Sequence, residues 1–342
     1  MKQSISVIIT AHDRKEYLKD AVNSVLNQTL DRDNYEVIVV KNYGDYDDWL
    51  AERRVKSIVT QEVGVGADYV IGAEEAKGDV ISFLDDDDLF LPYKLEIVNH
   101  VFKNDIIGYH NEMTPVDEGM RPLRLNELRK QAASRLFPDE ITLIDAGFIS
   151  KRPLEIGFLV NSSSVCIRRE SLLLFKDALK KVIKNASIDA ILILLPLEEG
   201  NLAIDNRRLT LFRVHNKSTL PVTVDPTKYI RDRYYYFYHA SMNFKILLDS
   251  QKFIKTRDSV LAFYIQNRIH SRFMELKGWN TDRASLPTSL KESLYLMKIN
   301  RRRGEWLTSI GSLLPLSIKE MLLVQYAKRR LIPRMSYNLS TG

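Results

Sequence analysis

The sequence predicts an α/β protein: a mostly parallel sheet flanked by helices, followed by a helical C-terminal extension. Three observations carry this. Bounded apolar runs, SISVIIT at 4–10, YEVIVV at 35–40 and DVISFL at 79–84, alternate with stretches of helical periodicity. Each run ends in a polar cluster: AHDR, KNYGDYDD and DDDD. Charge is also divided, with 29 Lys+Arg against 35 Asp+Glu in residues 1–224 and 21 against 9 in residues 225–342. An acidic first part joined to a basic second part points to different work in each.

The elements follow in order. Residues 4–10 are β-branched and bounded, the mark of a buried strand. From Lys15, the residues Leu18, Ala21, Val22, Val25 and Leu26 recur at three- and four-residue spacing, which predicts an amphipathic helix. YEVIVV is the second strand, KSIVT a short third, ADYVIGAEEAKG a helix, and DVISFL the next strand. Strands that are apolar without alternation are covered on both faces, as in a parallel sheet. Such sheets bind ligands beyond the carboxyl ends of their strands, where all three polar clusters fall. Farther on, GFLVNSSSVCIRRESLL reads as a strand feeding a helix and RRLTLFRVHNKS as a strand ending in a polar turn. From Thr227 the pattern is mostly helical, punctuated by Gly278, Pro287 and Pro315. The expected division is an α/β domain over residues 1–220 and a basic, mainly helical extension over 221–342.

Composition excludes several classes. With 45% hydrophobic and 27% charged residues the chain is globular rather than disordered. A single cysteine, Cys166, rules out an internal disulfide framework and a thiolate-rich zinc site. The apolar run Ile5–Ile9 is too short for a signal peptide, and no uncharged run approaches the ~18 residues of a membrane span. The expectation is a cytoplasmic chain, either free or peripheral at the cytoplasmic membrane face.

Asp85–Asp88 close an apolar strand with four consecutive like charges. Two unit charges about 4 Å apart repel by roughly 1 kcal/mol in water and about 4 at an effective dielectric of 20, so something positive should sit among them. Carboxylates without His or Cys beside them in sequence suit a hard divalent cation, Mn2+ or Mg2+, bridging to substrate phosphates.

SVIITAHDRKEYLKDAVNSVLNQT, followed by YEVIVV, AKGDVISFLDDDDLFLPYKLE and FRVHNKS, resembles a family 2 inverting glycosyltransferase with the GT-A fold, over about residues 4–220. The resemblance implies a nucleotide-sugar donor. It places Asp86 at the ribose, Asp87 on the metal, and Asp85 and Asp88 in support, with His215 reaching the metal or the diphosphate. Thr10, Ala11, His12, Asp13 and Arg14 would face the nucleotide, His12 standing where the family often has a tyrosine. The family's general base falls on Asp189 in NASIDAILIL, although Ile188 replaces the usual preceding acid. An aspartate before an apolar run is also an ordinary residue for a helix start. Two further departures stand out. Lys41 and Asn42 replace paired aspartates, leaving Asn42 to meet the base edge, and Tyr69 and Val70 replace an Arg-Asn pair.

The implied activity is metal-dependent, inverting transfer of one sugar to a hydroxyl acceptor, a glycan or lipid-linked. Two other readings are a catalytically weak nucleotide-sugar-binding protein, and a lipid- or nucleic-acid-docking module on a transferase scaffold. GVGADYVIG is not a dinucleotide fingerprint, because Tyr69 occupies the third glycine's place. RRRGEW lacks the glutamine of processive synthases, which favours single addition. The C-terminal helices interleave aromatics with cations, either as core faces or as a surface for anionic lipid. Nucleic acid is not an expected partner, given the acidic crevice.

Overall fold

The first strand sets the frame. Ile5–Ala11 (β1) is buried at every position, and its alternation sends Ile5, Val7, Ile9 and Ala11 to one core and Ile8 to the other. A strand apolar on both faces must lie inside a sheet. The computed structural model describes residues 4–62, 64–102, 105–123, 136–182, 185–215, 225–276, 290–300, 303–315 and 317–327. Gly278, Pro287, residues 216–218 of the RVHNKS turn, and the tail from Lys328 lie outside the described residues.

Eight further strands join β1: β2 (Tyr35–Lys41), β3 (Lys56–Val59), β4 (Val80–Asp85), β5 (Leu89–Phe90), β6 (Ile106–Val116), β7 (Ile141–Ile144), β8 (Val165–Arg168) and β9 (Asn201–Arg213). The sheet order is β3-β2-β1-β4-β8-β6-β9-β5, with β7 also paired to β9. The strands β1 to β4 are mutually parallel, and their register sets Ala11 opposite Lys41 and Thr10 opposite Asp85. Three carboxyl ends therefore finish level at one edge.

Beyond β4 the sheet is mixed. β8 runs antiparallel to both β4 and β6, β6 is parallel to β9, and β5 and β7 are antiparallel to β9. The direction of β8 matters for the site. A strand that opposes β4 begins where β4 ends, so the turn leading into it, Asn161–Ser164, arrives at Asp85.

Helices cover both faces. Leu18–Leu26 and Lys94–Val101 pack on the side of Val7, Ile9, Val39 and Leu84. The other face, around Ile8, Ile38, Val40 and Phe83, receives Val65–Glu75, Ile188–Leu197, Pro226–Asp249 and Arg257–Met274. Ile188–Leu197 is apolar all round, as a helix without a solvent face must be. All of its residues except Asp189 are buried. At Gly108 on β6 a Cβ would stand 2.5 Å from Cγ of Pro196, so only glycine lets the strand approach this helix.

The C-terminal part is helical where described. Pro226–Asp249 starts on Asp225, whose carboxylate accepts the Thr227 N–H at 2.8 Å, with Pro226 at the first helical position. Its Phe244 and Leu247, with Phe253, Val260 and Phe263 beyond, belong to the same core as the sheet. Leu290–Ile299 and Arg303–Ser312, with the helix 317–327, then build outward from Arg257–Met274, through Ile269 on Leu296 and Phe273 beside Leu323. Among the described residues no helix is long and apolar enough to cross a membrane.

Candidate active site

The turn after β4 is tight. Asp86 N–H donates to the Thr10 carbonyl at 3.2 Å and Asp88 N–H to the Asp85 carbonyl at 3.1 Å. The carboxylates are then held from several directions. Asp85 accepts Ser162 Oγ at 2.7 Å, while its own N–H donates to Ser163 Oγ at 3.0 Å. Asp88 accepts the Arg213 N–H at 3.0 Å. Asp86 is gripped by Arg14 through Nε at 3.2 Å and through a second guanidinium nitrogen. The same guanidinium lies 2.8 Å from Asp87 Oδ2 and 3.2 Å from His215 Nε2, which is itself 2.8 Å from Asp87 Oδ2.

Arg14 is thus the positive group among the four aspartates. Burial pushes the Asp86 carboxyl up to about 6 even against the Arg14 hydrogen bond. Asp85 and Asp88 are also raised, first by burial and then by the charge of Asp87. Burial alone would weaken the Arg14 charge, but the Asp86 bond and the neighbouring carboxylates hold it firmly protonated. His215 is fixed in turn by Tyr17, whose ring centre is 5.2 Å away, and Tyr17 carries the Arg213 guanidinium at 4.2 Å.

The donor set fits a hard cation. One oxygen each from Asp85, Asp87 and Asp88 can be chosen within 4.8 Å of one another. Asp88 Oδ2 is buried with no hydrogen-bond partner, so it has a lone pair to give. An all-oxygen set of this kind suits Mg2+ or Mn2+. Asp87 and His215, expected together at the metal, are brought together, and Asp85 and Asp88 join Asp87.

The strand-end loop carries the other expected nucleotide contacts. Thr10 and Ala11 close β1 and are buried. His12 is 45% exposed and its Nε2 lies 3.7 Å from the Asp13 carboxylate. Asp13 has φ 56°, a left-handed turn held by a reciprocal pair with Asn42. Asp13 N–H donates to Asn42 Oδ1 at 3.0 Å, and Asn42 Nδ2 donates to Asp13 Oδ1 at 2.7 Å. The side chain of Lys41 is fully buried, giving hydrogen bonds to the Tyr43 carbonyl at 2.6 Å and Asp47 at 2.7 Å. It braces the KNYGDYDD loop, and Tyr43 OH reaches back to the Arg14 carbonyl at 2.8 Å. Tyr69 and Val70 are core residues, Tyr69 lying 4.6 Å from Phe83 ring to ring.

Asp189 stands at the start of its buried helix. Its Oδ2 accepts the Asn161 N–H at 3.1 Å and its Oδ1 the Ala190 N–H at 2.8 Å. Asn161 and Ser162 are consecutive, so one turn touches Asp189 with its first residue and Asp85 with its second. The turn is stiff: Asn161 has φ 82° and its side chain accepts the Ser163 N–H at 3.0 Å, while buried Lys94 donates to the Ser163 carbonyl at 2.5 Å. The helix is pinned at both ends by the C-terminal part. Tyr236 OH lies 3.2 Å from Ser187 Oγ, and the Glu198 carboxylate accepts the N–H groups of Ile254, Lys255 and Thr256 at 2.7–3.1 Å.

Several of these residues were not foreseen. Asn161, Ser162 and Ser163 were read only as part of a strand, and Lys94, Tyr17 and Arg213 gave no signal beyond ordinary helix and strand positions. Asp68 was also missed. It is buried, its Oδ1 has no partner, and burial pushes its carboxyl up to about 6. The doublet of acids flanking His12, at 13 and 68, emerges only once the helix Val65–Glu75 is folded against β1.

Residues 6–150 match the family model described as glycosyl transferase family 2. An uncharacterized glycosyltransferase of Nostoc sp. is 34% identical over 122 residues, a match covering 33% of this chain and 37% of the relative. One from Rickettsia bellii is 32% identical over 122 residues, covering 33% of this chain and 17% of that one. The matched segment thus spans about a third or less of those relatives' own length. Among solved structures, S. aureus TarS 1–349 in complex with UDP-GlcNAc is similar with a TM-score of 0.51 at 12% identity, over 95% of this chain and 90% of that one. That likeness concerns the fold, which is GT-A-like with a helical C-terminal region.

Proposed function

From the premise that residues 6–150 belong to glycosyl transferase family 2, we propose that the chain transfers a single sugar from a nucleotide-sugar donor to a hydroxyl acceptor with inversion. One observation carries the reading. The ends of β1, β4 and β9 bring Arg14, Asp86, Asp87 and His215 together, and a single turn links that cluster to Asp189. The TarS complex with UDP-GlcNAc supports a nucleotide-sugar donor for a chain of this fold.

In this reading Asp86 accepts from the ribose, and Arg14 and His215 meet the negative diphosphate. Asp85, Asp87 and Asp88 would hold Mn2+ or Mg2+, which when bound supplies Lewis-acid neutralisation of the leaving diphosphate. Asp189 receives the acceptor's proton as the acceptor oxygen forms the new bond to the anomeric carbon. The bond from that carbon to the diphosphate breaks on the opposite face, with its electron pair leaving on the phosphate oxygen. The two backbone N–H groups on Asp189 fix its direction. The backbone groups could serve helix start and base at once, so the two expectations for Asp189 are compatible.

A second reading has its own observation. Tyr69 and Val70, standing for the family's Arg-Asn pair, are buried; Tyr69 OH reaches Asp85 at 3.5 Å, and neither residue offers the diphosphate a positive charge. That favours a nucleotide-sugar-binding protein with little turnover. Incubation with a panel of uridine and guanosine diphosphate sugars plus Mn2+, followed by nucleoside diphosphate release and the anomeric configuration of the product, separates the two. Release with an inverted product is expected. Tight nucleotide binding without turnover of any donor would favour the second reading, and a retained configuration would remove Asp189 from the role of base.

A further inference from the structure

The first aromatic-rich helices, expected either as core faces or as a surface for anionic lipid, are largely spent inside. Tyr234 and Phe244 are buried in Pro226–Asp249, Phe244 stacks on Phe263 at 5.1 Å, and Phe237 meets His270 at 4.7 Å. The exposed apolar surface lies elsewhere. Ten of the seventeen exposed large apolar side chains among the described residues fall between 290 and 324. Each of three successive helices buries one stripe and leaves another apolar stripe outside. Leu290–Ile299 shows Leu290 and Leu294, and Arg303–Ser312 shows Trp306 (49% exposed), Leu307 (71%) and Ile310 (53%). The helix 317–327 buries Lys319, Leu323 and Ala327 while exposing Ile318, Met321 and Leu322.

Charge says what such a face would meet. Among the residues of 290–327 whose side chains are described, the exposed ionisable ones are Lys291 and Lys298, while Glu292 and Glu320 are half-buried and Lys319 is buried. Glu292 is engaged with Arg268 at 2.6 Å. Over residues 290–334 the sequence carries ten Lys and Arg against three Glu. A second copy of the same face would set cations against cations. An acidic, fluid apolar layer suits both features, and tryptophan favours the water–lipid boundary.

We propose that the helices of residues 290–327 dock this chain on the surface of an anionic lipid bilayer, lying in the interface without spanning it. Trp306, Leu307, Ile310, Ile318 and Met321 enter the headgroup layer, and Lys291 and Lys298 pair with anionic headgroups. The inference stands on the exposed face and is independent of the transferase reading.

The test is flotation of the full chain with vesicles of pure phosphatidylcholine and with vesicles containing one third phosphatidylglycerol. Binding to the anionic vesicles alone is expected, released by salt. Leu307→Glu with Met321→Glu should abolish it, and Lys291→Gln with Lys298→Gln should weaken it by roughly fivefold per lysine. Thermal unfolding and nucleoside diphosphate binding, read in parallel, report whether each variant keeps its fold; the lysine pair is fully outside and serves if the first does not. Failure to bind anionic vesicles would overturn the proposal. So would binding indifferent to both variant pairs, or a concentration-dependent dimer that Leu307→Glu dissolves while vesicles are ignored.

Discussion

Asp85–Asp88 and Asp189 are carboxylates joined through one turn, Asn161–Ser162, and held by different means. The cluster is crowded and, apart from the Arg213 N–H on Asp88, its partners are side chains: Arg14, His215 and Ser162. Asp189 accepts two backbone N–H groups and rides on a helix with no solvent face. Side chains can turn away and be replaced, whereas a backbone donor in a buried element cannot. The difference teaches that the first region is built to exchange its counter-charges and the second to keep a direction.

The largest effect should come from testing the fixed side. Asp189→Asn preserves shape and helix start but cannot take a proton, so single-turnover transfer should fall by about 10²–10⁴-fold. Affinity for nucleoside diphosphate with Mn2+ should remain at the parent value. Near-normal transfer would reduce Asp189 to a helix-start residue, and lost donor binding would place it on the wrong side of the sugar.

Next is the exchangeable side. Asp87→Ala removes the carboxylate shared by Arg14, His215 and the proposed cation. Mn2+-dependent binding of nucleoside diphosphate, followed by calorimetry, should weaken by at least ~100-fold, above the usual cost of losing a supporting group. Unchanged Mn2+ dependence would reject the assignment and leave Asp85 and Asp88 as the pair to examine.

The smallest effect concerns Asp68, which belongs to neither grip. Its folded value of about 6 stands above the ordinary 3.8, so the native state holds the proton more tightly than the unfolded chain. Below about pH 4 both states are protonated and the carboxyl is harmless; from about pH 4 to 6 stability falls as pH rises, and the penalty is then complete. Asp68→Asn should therefore be nearly silent at low pH and stabilising at pH 8 by on the order of 1–3 kcal/mol, a melting increase of several degrees. Equal melting shifts at both pH values would show that its buried charge carries no cost.

Parts of this arrangement were readable in the chain because physics wrote them locally. Strands β1, β2 and β4 are covered on both faces and so appear as unbroken apolar runs, and their polar ends mark the crevice. Strand β6 is less visible: His110, Asn111, Glu112 and Pro115 interrupt it, and its pairing with β9 shifts register at Asn111 and Glu112. The role of Asn161–Ser164 depends on β8 running against β4, a fact of topology with no local mark. Asn42 and Lys41 were seen as departures, but that Lys41 braces a loop and Asn42 clasps Asp13 follows from where the strands meet. In the C-terminal helices periodicity indicates helix but not facing, since among the described residues of 290–327 polar residues such as Ser293, Ser309 and Lys319 are buried while leucines, Trp306 and Met321 stand outside.

The pedestal of Asp189 is completed by residues made late. Ile188–Leu197 shares its core with Phe244, Leu247, Phe253, Val260 and Phe263, and Glu198 holds the turn before Arg257–Met274. On the ribosome the sheet strands through β4 emerge first and can pair at once. The helix that carries Asp189 must wait until residue 263 has followed, which is several seconds of elongation during which its apolar face lacks its cover. A chain halted in that interval would carry Asp189 on a helix whose apolar face is still bare, so premature products of this sequence would be prone to aggregate.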